Sequence, residues 1–281
     1  IAQMHKAISI IQFKLEAEII RRRPEFKMED RMLLHHIDFE KKTITIDGTE
    51  YPLRDSLFPT IDPADPYKLT EEEQDIVLKL HNSFTGSEKL RKHMKCLFRY
   101  GCMYNVCNSN LLFHASMPLN EDGTLKEIDI LGKKYKGESL LKRVGQLIRT
   151  AYFAENDNEE KNFALDYVWY LWCGKDSPAF DKSKMATFER YFIADAAAHK
   201  EVKGFYYTLR DREDVCDMIM DEFGVEGEHR HIINGHVPVK AVKGEKPIKA
   251  NGKLMVIDGG FSKAYQPETG IAGYTLVYHS R

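Results

Sequence analysis

The sequence has no run approaching the ~18 apolar residues that a membrane-spanning helix needs, so no membrane partner is expected. It also lacks a charge bias. With 41 Lys and Arg against 43 Asp and Glu, the formal net charge is −2. No basic field therefore invites nucleic acid, and no acidic excess signals disorder. Local basic runs such as Arg21-Arg22-Arg23 read as a solvated helix end. Cysteine is sparse, five residues in all, and Cys102 and Cys107 stand too far apart for a Cys-x-x-Cys pair, with no second pair to answer them. That excludes a zinc ribbon and leaves buried, reduced thiols in a cytoplasmic protein as the expectation. There is no P-loop, no dinucleotide-binding glycine fingerprint and no Gly-x-Ser-x-Gly elbow at Ser116 or Ser262. The opening Ile1-Ala2-Gln3-Met4-His5-Lys6 has neither an initiator Met nor the layout of a signal peptide. It reads as the inside of a helix, so the chain is expected to begin partway through a longer protein.

What is present is an ordinary globular composition: 281 residues, 43% hydrophobic and 30% charged, enough for one large domain or two moderate ones. Met4, Ile8, Ile11, Leu15 and Ile19 recur at three- and four-residue spacing and predict a helix over Ala2–Arg23, ending before Pro24. This stripe would suit a core position or a subunit contact, so a homo-oligomer stays open. Ile44 and Ile46 alternate with polar residues before Asp47-Gly48, which predicts a hairpin over Lys42–Leu53. Phe58–Tyr67, with its prolines and aspartates, reads as a loop. Helices follow over Thr70–Asn82, where Thr70 and Glu73 form a capping box, and over Ser87–Tyr100. Met103–Phe113 reads as one strand ending at His114. Asp122-Gly123 marks a turn, and Thr124–Tyr135 a hairpin about Leu131-Gly132. Later helices are expected at Glu138–Phe153, Phe163–Trp172, Lys184–Phe192 and Arg212–Phe223, with an acidic linker at Glu155–Glu160. Strands are expected at Gly204–Thr208, Arg230–Ile233, Gly252–Ile257 and Ala272–His279. The class is mixed α and β, with strands concentrated in the last third.

Two segments share one design, an apolar strand that ends in a small-residue loop with a His at its tip. Asn110-Leu111-Leu112-Phe113 runs into His114-Ala115-Ser116, and His231-Ile232-Ile233-Asn234-Gly235 runs into His236-Val237-Pro238. A strand end holds a side chain rigidly at a sheet edge, and a neutral imidazole is a common ligand for a divalent metal. Taken alone, either one is better explained as an ordinary hydrogen-bonded His at a strand end. Gly235 is expected to let the backbone turn, with Asn234 as a partner in the loop. Asp258-Gly259-Gly260, after the apolar Leu254–Ile257, is shaped for close approach of a ligand or of a neighbouring loop. Trp169–Pro178 contains both tryptophans, and its Lys175, Asp176 and Ser177 are candidates to face a polar site.

The run Ile232-Ile233-Asn234-Gly235-His236-Val237-Pro238-Val239-Lys240, continued by Pro247–Lys253, Ile257–Tyr265 and Thr269–Leu276, resembles the C-terminal signature of the class III fructose-1,6-bisphosphatases. Leu171–Pro178, His114 with Pro118–Gly123, and Ala2–Ile8 extend the resemblance across nearly the whole chain. That family is similar to calcineurin-like metallophosphatases, and the resemblance implies an α+β fold. Two mixed β-sheets flanked by helices would be present incompletely, with an added helical portion. It implies a mainly helical segment with a β-hairpin over 1–101 and the C-terminal half of the phosphatase domain over 102–281. It further implies that His114 and His236 are ligands of a dinuclear Mn²⁺ or Mg²⁺ site, although Ala115 stands where relatives usually carry Gly. The implied reaction removes the 1-phosphate of fructose 1,6-bisphosphate, giving fructose 6-phosphate in gluconeogenesis. Lys175, Lys263 and Tyr265 are candidates to bind the substrate. The Gly-Asp-x-His, Gly-Asp-x-x-Asp and Gly-Asn-His motifs that bring the other ligands and the catalytic acid are absent from this sequence. The chain alone is therefore expected to be inactive, since two histidines add no charge to offset two divalent ions. Another phosphate ester as substrate, or a structural or oligomerisation role, are the competing readings.

Overall fold

In the computed structural model, which describes residues 2–277, helices and strands are interspersed along the chain and the fold is α+β. The helices are Ala2–Arg22 (α1), Glu71–Thr85 (α2), Glu88–Tyr100 (α3), Gly137–Phe153 (α4), Glu159–Cys173 (α5), Thr187–Phe192 (α6), Phe205–Leu209 (α7), Glu213–Glu222 (α8) and Gln266–Thr269 (α9). The strands are Ile37–Asp38 (β1), Thr43–Ile46 (β2), Thr49–Pro52 (β3), Tyr104–Cys107 (β4), Asn110–Phe113 (β5), Ile128–Ile130 (β6), Lys133–Tyr135 (β7), His231–Asn234 (β8), Ile248–Lys249 (β9) and Leu254–Val256 (β10). Seven of these strands precede residue 136, against the expectation that they would gather in the last third. No helix among the described residues is long and apolar enough to cross a membrane.

The chain divides into two compact units, residues 1–99 with 184–202 and residues 100–183 with 203–281. In the first, β1, β2 and β3 form an antiparallel sheet. Asp47 and Gly48 both take positive φ between β2 and β3 (51° and 76°), as a type I′ hairpin requires. Ile10, Ala17, Leu34, Ile44, Phe58, Phe188 and Ile193 pack into one core. The carboxylate of Glu189, fully buried, receives both Nη groups of Arg31 at 3.0 and 2.9 Å, and this bidentate fork holds α6 in the unit.

Helix α1 forms where periodicity places it, but it buries a different face. Met4 and Ile8 are exposed, while Ile10, Lys14, Ala17 and Ile20 turn inward and share only Ile11 with the apolar stripe. The reason is Lys14. Its ammonium, fully buried, meets Glu73 Oε2 at 2.7 Å and the Thr60 carbonyl at 2.6 Å. A hydrophobicity pattern cannot place a Lys at the centre of a buried face. Glu73 also closes the capping box of α2, accepting from Thr70 N at 2.9 Å while its own N–H donates to Thr70 Oγ1. One carboxylate thus starts α2 and neutralises α1.

In the second unit the five-stranded sheet runs β4-β5-β8-β10-β9. Strands β5, β8 and β10 are parallel neighbours, and β4 and β9 are antiparallel edges. Leu111, Ile232 and Leu254 interlock with Tyr206, Ile219 and Met220 beneath this sheet. Helices α4 and α5 and the β6–β7 hairpin belong to the same unit, with Leu131 and Gly132 at positive φ in the turn.

Four expectations need correction. Met103–Phe113 is a hairpin, β4–β5, because Asn108 and Ser109 both adopt positive φ (50° and 58°) and reverse the chain. Gly204–Thr208 is helical, as α7; Tyr206 is fully buried there and Tyr207 nearly so, and the aromatic run that reads as strand packs equally well from one side of a short helix. Ala272–His279 forms no strand among its described residues, where Gly273 makes a single bridge to Asp258; residues 278–281 lie outside them. Of the five thiols, all free, Cys173 and Cys216 are buried, but Cys96, Cys102 and Cys107 are exposed.

Glu73→Ala removes the counter-charge of a buried ammonium together with a helix cap. It is expected to lower unfolding stability by about 3 kcal/mol, read as the urea midpoint of the chain at constant slope. A loss below about 1 kcal/mol would mean that Lys14 finds water instead.

Candidate active site

Parallel strands end on the same edge of their sheet, and this edge gathers the chemistry of the second unit. His114 follows β5, His236 follows Asn234 and Gly235 at the end of β8, and Asp258 follows β10. The register is continuous beyond the strands. Gly235 N donates to His114 O at 2.9 Å, Ile257 N to Asn234 O at 2.9 Å and Val239 N to Asp258 O at 3.1 Å. Residues 122 positions apart are therefore held side by side. His114 Nε2 lies 3.1 Å from His236 Nδ1, with the rings inclined at 72°.

The turn at His236 is not made by Gly235. His236 itself takes φ 64°, and Val237 N donates to Gly235 O at 2.8 Å, closing a three-residue γ-turn centred on the His. This backbone region is costly for a residue with a Cβ, so its surroundings must hold it. Asn234 is part of that support. Its buried Nδ2 donates to Ala115 O at 3.0 Å and to Tyr206 OH at 2.9 Å, tying the end of β8 to the residue after His114. Its Oδ1 is buried without a partner. Burial pulls the His236 imidazole down to about 4, helped by His114 and Lys182 and opposed by Asp258. The ring is therefore neutral near pH 7, with one lone pair available to an acceptor role or to a cation.

Two nitrogen donors 3.1 Å apart suit adjacent positions around one divalent ion, since metal–nitrogen distances near ~2.1 Å subtend that separation at about a right angle. They do not suffice for one. Among the described residues no group of three or more His, Cys, Asp or Glu is arranged to hold a metal, whereas such ions take four to six ligands. The donor set fits two positions of a coordination shell and leaves the others to be supplied. A cavity of about 340 Å³, lined in part by Tyr104, Phe113, His114, Asn234 and Gly235, opens beside His114.

Asp258-Gly259-Gly260 admits a neighbouring loop. A Cβ on Gly259 would lie 2.6 Å from the Ala272 backbone, and one on Gly260 would lie 2.6 Å from Thr269 Oγ1. Ser177 is structural too: fully buried, it donates to Leu171 O at 2.6 Å and accepts from Ala179 N. Asp176 pairs with Lys126 at 2.6 Å. Lys175, Lys263 and Tyr265 are exposed and make no hydrogen bond, ion pair or ring contact with either imidazole.

Sequence reasoning passed over a buried pair just behind His114. Ser116 Oγ donates to Asp181 Oδ2, and both residues are buried. Burial pushes the Asp181 carboxyl up to about 6, against the Ser116 hydrogen bond, with Asp176 raising it and Lys126 lowering it. A Ser and an Asp 65 positions apart give no local signal.

Comparison with known proteins follows the same lines. The Firmicute fructose-1,6-bisphosphatase family matches residues 1–281. A fructose-1,6-bisphosphatase class 3 of Phocaeicola vulgatus is 75% identical over 282 residues, covering all of this chain and 42% of that protein. Similarly named proteins of Clostridium botulinum and Porphyromonas gingivalis are 60% and 59% identical, covering all of this chain and 42% and 43% of theirs. The chain thus spans less than half the length of these curated relatives. No solved structure matches it.

Two measurements test this edge. His236→Gly is expected to be more stable than His236→Ala by about 1 kcal/mol in thermal unfolding, because only Gly takes positive φ freely; equal midpoints would deny the strained turn. For Asp181 the folded carboxyl holds a proton between about pH 4 and 6 that the unfolded chain has released. Its contribution to stability therefore falls as pH rises through that window. Wild type is expected to lose on the order of 2–3 kcal/mol relative to Asp181→Asn between pH 4 and 7. Parallel pH profiles for the two proteins would remove Asp181 as the cause.

Proposed function

The chain belongs to the Firmicute fructose-1,6-bisphosphatase family, and from that membership we propose that it forms part of a metal-dependent phosphatase. That enzyme removes the 1-phosphate of fructose 1,6-bisphosphate to give fructose 6-phosphate. The observation that carries the reading is the convergence of His114 and His236 at 3.1 Å on the parallel-strand edge. The strained backbone of His236, interlocked with that of His114, is hard to explain as ordinary packing. The activity is proposed for a protein of the relatives' length that contains this chain. The five-stranded mixed sheet would be one layer of a calcineurin-like sandwich, and the remaining layer would complete the coordination shell.

In this reading His114 and His236 are two ligands of a Mn²⁺ or Mg²⁺ site. Bound divalent ions would supply Lewis-acid stabilisation of the charge that develops on the phosphoryl oxygens. The chain's own contribution is positional. Asn234 fixes the loop after β5 against the end of β8, the γ-turn aims the His236 ring, and burial keeps that ring unprotonated and able to donate a lone pair. Lys175, Lys263 and Tyr265, all exposed, are proposed to approach the substrate only once the other layer is in place. The free thiols agree with a reducing, cytoplasmic setting.

The test uses protein of the relatives' length, purified with Mn²⁺. His114→Ala and His236→Ala are each expected to lose bound metal and at least about 100-fold in kcat/KM on fructose 1,6-bisphosphate. Full activity in His236→Ala would sink the ligand assignment. A panel of phosphate esters separates this substrate from others, and higher kcat/KM on an unrelated ester would replace it.

A further inference from the structure

The turn that follows α5 reaches the loop just behind His114. Its own hydrogen bonds close it: Ser177 N donates to Gly174 O at 3.1 Å, Phe180 N to Ser177 O at 3.1 Å and Asp176 N to Tyr170 OH at 3.2 Å. A Cβ on Gly174 would lie 2.4 Å from the Tyr170 ring, so the turn packs this closely only with Gly there. The turn then grips one residue, Ser116. Pro178 O accepts from Ser116 N at 3.1 Å, and the Asp181 carboxylate accepts from Ser116 Oγ. From the opposite side, Gly235 N donates to His114 O at 2.9 Å and Asn234 Nδ2 to Ala115 O at 3.0 Å. His114, Ala115 and Ser116 are thus fixed in succession, the first two by the end of β8 and the third by the turn.

Holding Ser116 in this way is costly. Asp181 has a left-handed backbone, φ 50°, which residues with a Cβ avoid. Its carboxylate is buried, and burial opposes its ionisation. It fits only because residue 204 is glycine. A Cβ there would lie 2.0 Å from Asp181 Oδ1, while Gly204 N donates to Asp181 O at 2.8 Å. A turn that served packing alone would be better formed with Gly or Asn at position 181. We propose that Asp181 and Ser116 are positioning residues for His114, holding its imidazole against His236 in the arrangement that a divalent cation needs. This rests on the reading of His114 as a metal ligand. Neither residue touches the ion; they act through the backbone between Ser116 and His114. Without the grip on Ser116 the loop keeps only its attachment to β8, and the first donor loses its fixed place.

Three variants separate this role from packing. Ser116→Ala deletes one oxygen, Asp181→Ala removes its partner, and Asp181→Asn keeps an acceptor for Ser116 in a residue that tolerates positive φ. In protein of the relatives' length, Ser116→Ala and Asp181→Ala are each expected to raise the Kd for Mn²⁺ about tenfold by calorimetry, with Asp181→Asn within about threefold of wild type. Ser116→Ala is the milder change and keeps the test valid if Asp181→Ala fails to fold. A lowered thermal midpoint with wild-type Mn²⁺ affinity is the signature of packing alone, and it overturns the proposal. Equal loss of affinity in Asp181→Asn and Asp181→Ala overturns it too. A second measurement needs no metal. In the 281-residue chain, the imidazole ¹⁵N signals of His114 and His236 are expected to move in Ser116→Ala and to stay in place in Asp181→Asn. Unmoved signals in Ser116→Ala overturn the clamp. If Mn²⁺ affinity is unchanged even in His114→Ala, the ligand reading fails, and the imidazole signals alone decide whether Asp181 and Ser116 position the ring.

Discussion

The parallel pairing of β5 with β8, and of β8 with β10, is the constraint on which the second unit depends. Parallel strands cannot be joined by a short turn, so the chain between Phe113 and His231 must travel out and back. That excursion builds α4, α5, α7 and α8, and with them much of the core under the sheet. Because the strands run the same way, their ends fall on one edge, and every polar residue that follows a strand is delivered there. The His114–His236 contact is a consequence of register: one Gly235 N–H on the His114 carbonyl fixes both loops.

The cost of this arrangement is concentrated where the chemistry is. His236 occupies a backbone region that L-residues avoid, Asn234 leaves an oxygen buried without a partner, and Arg210 leaves a guanidinium nitrogen in the same condition. Each would be expected to cost on the order of 1–3 kcal/mol. In the first unit the buried charges behave otherwise. Lys14 meets Glu73 and Glu189 meets Arg31 and Lys184, so burial there is fully compensated. At the histidine edge itself, the end of β8 combines a strained backbone with an unpartnered amide oxygen.

Local signals in the sequence were legible where local chemistry decides. Asp47-Gly48, Leu131-Gly132 and the Thr70–Glu73 capping box each specify their own turn or helix start, and the structure has all three. The signal failed where a buried polar group overrides the apolar pattern, as at Lys14 on α1. It failed again where an uncommon pair such as Asn108-Ser109 makes a turn usually marked by glycine. The aromatic run Phe205-Tyr206-Tyr207 has the composition of a strand, and only the requirement to bury Tyr206 beneath the sheet decides for a helix.

The site divides along the same line. Two His residues at strand tips could be picked out from sequence, but nothing in their spacing says that they touch. Contact requires the order β5-β8 in the sheet, a non-local fact. Arg210 was less legible still. Arg210 is an ordinary residue in an unremarkable segment, whereas Lys175 and Lys263 sit in motif-like ones. Position in a recognisable motif reports similarity to a family; an unpaired buried donor reports a physical need. For Arg210 the unpartnered nitrogen exists only after α7 has packed.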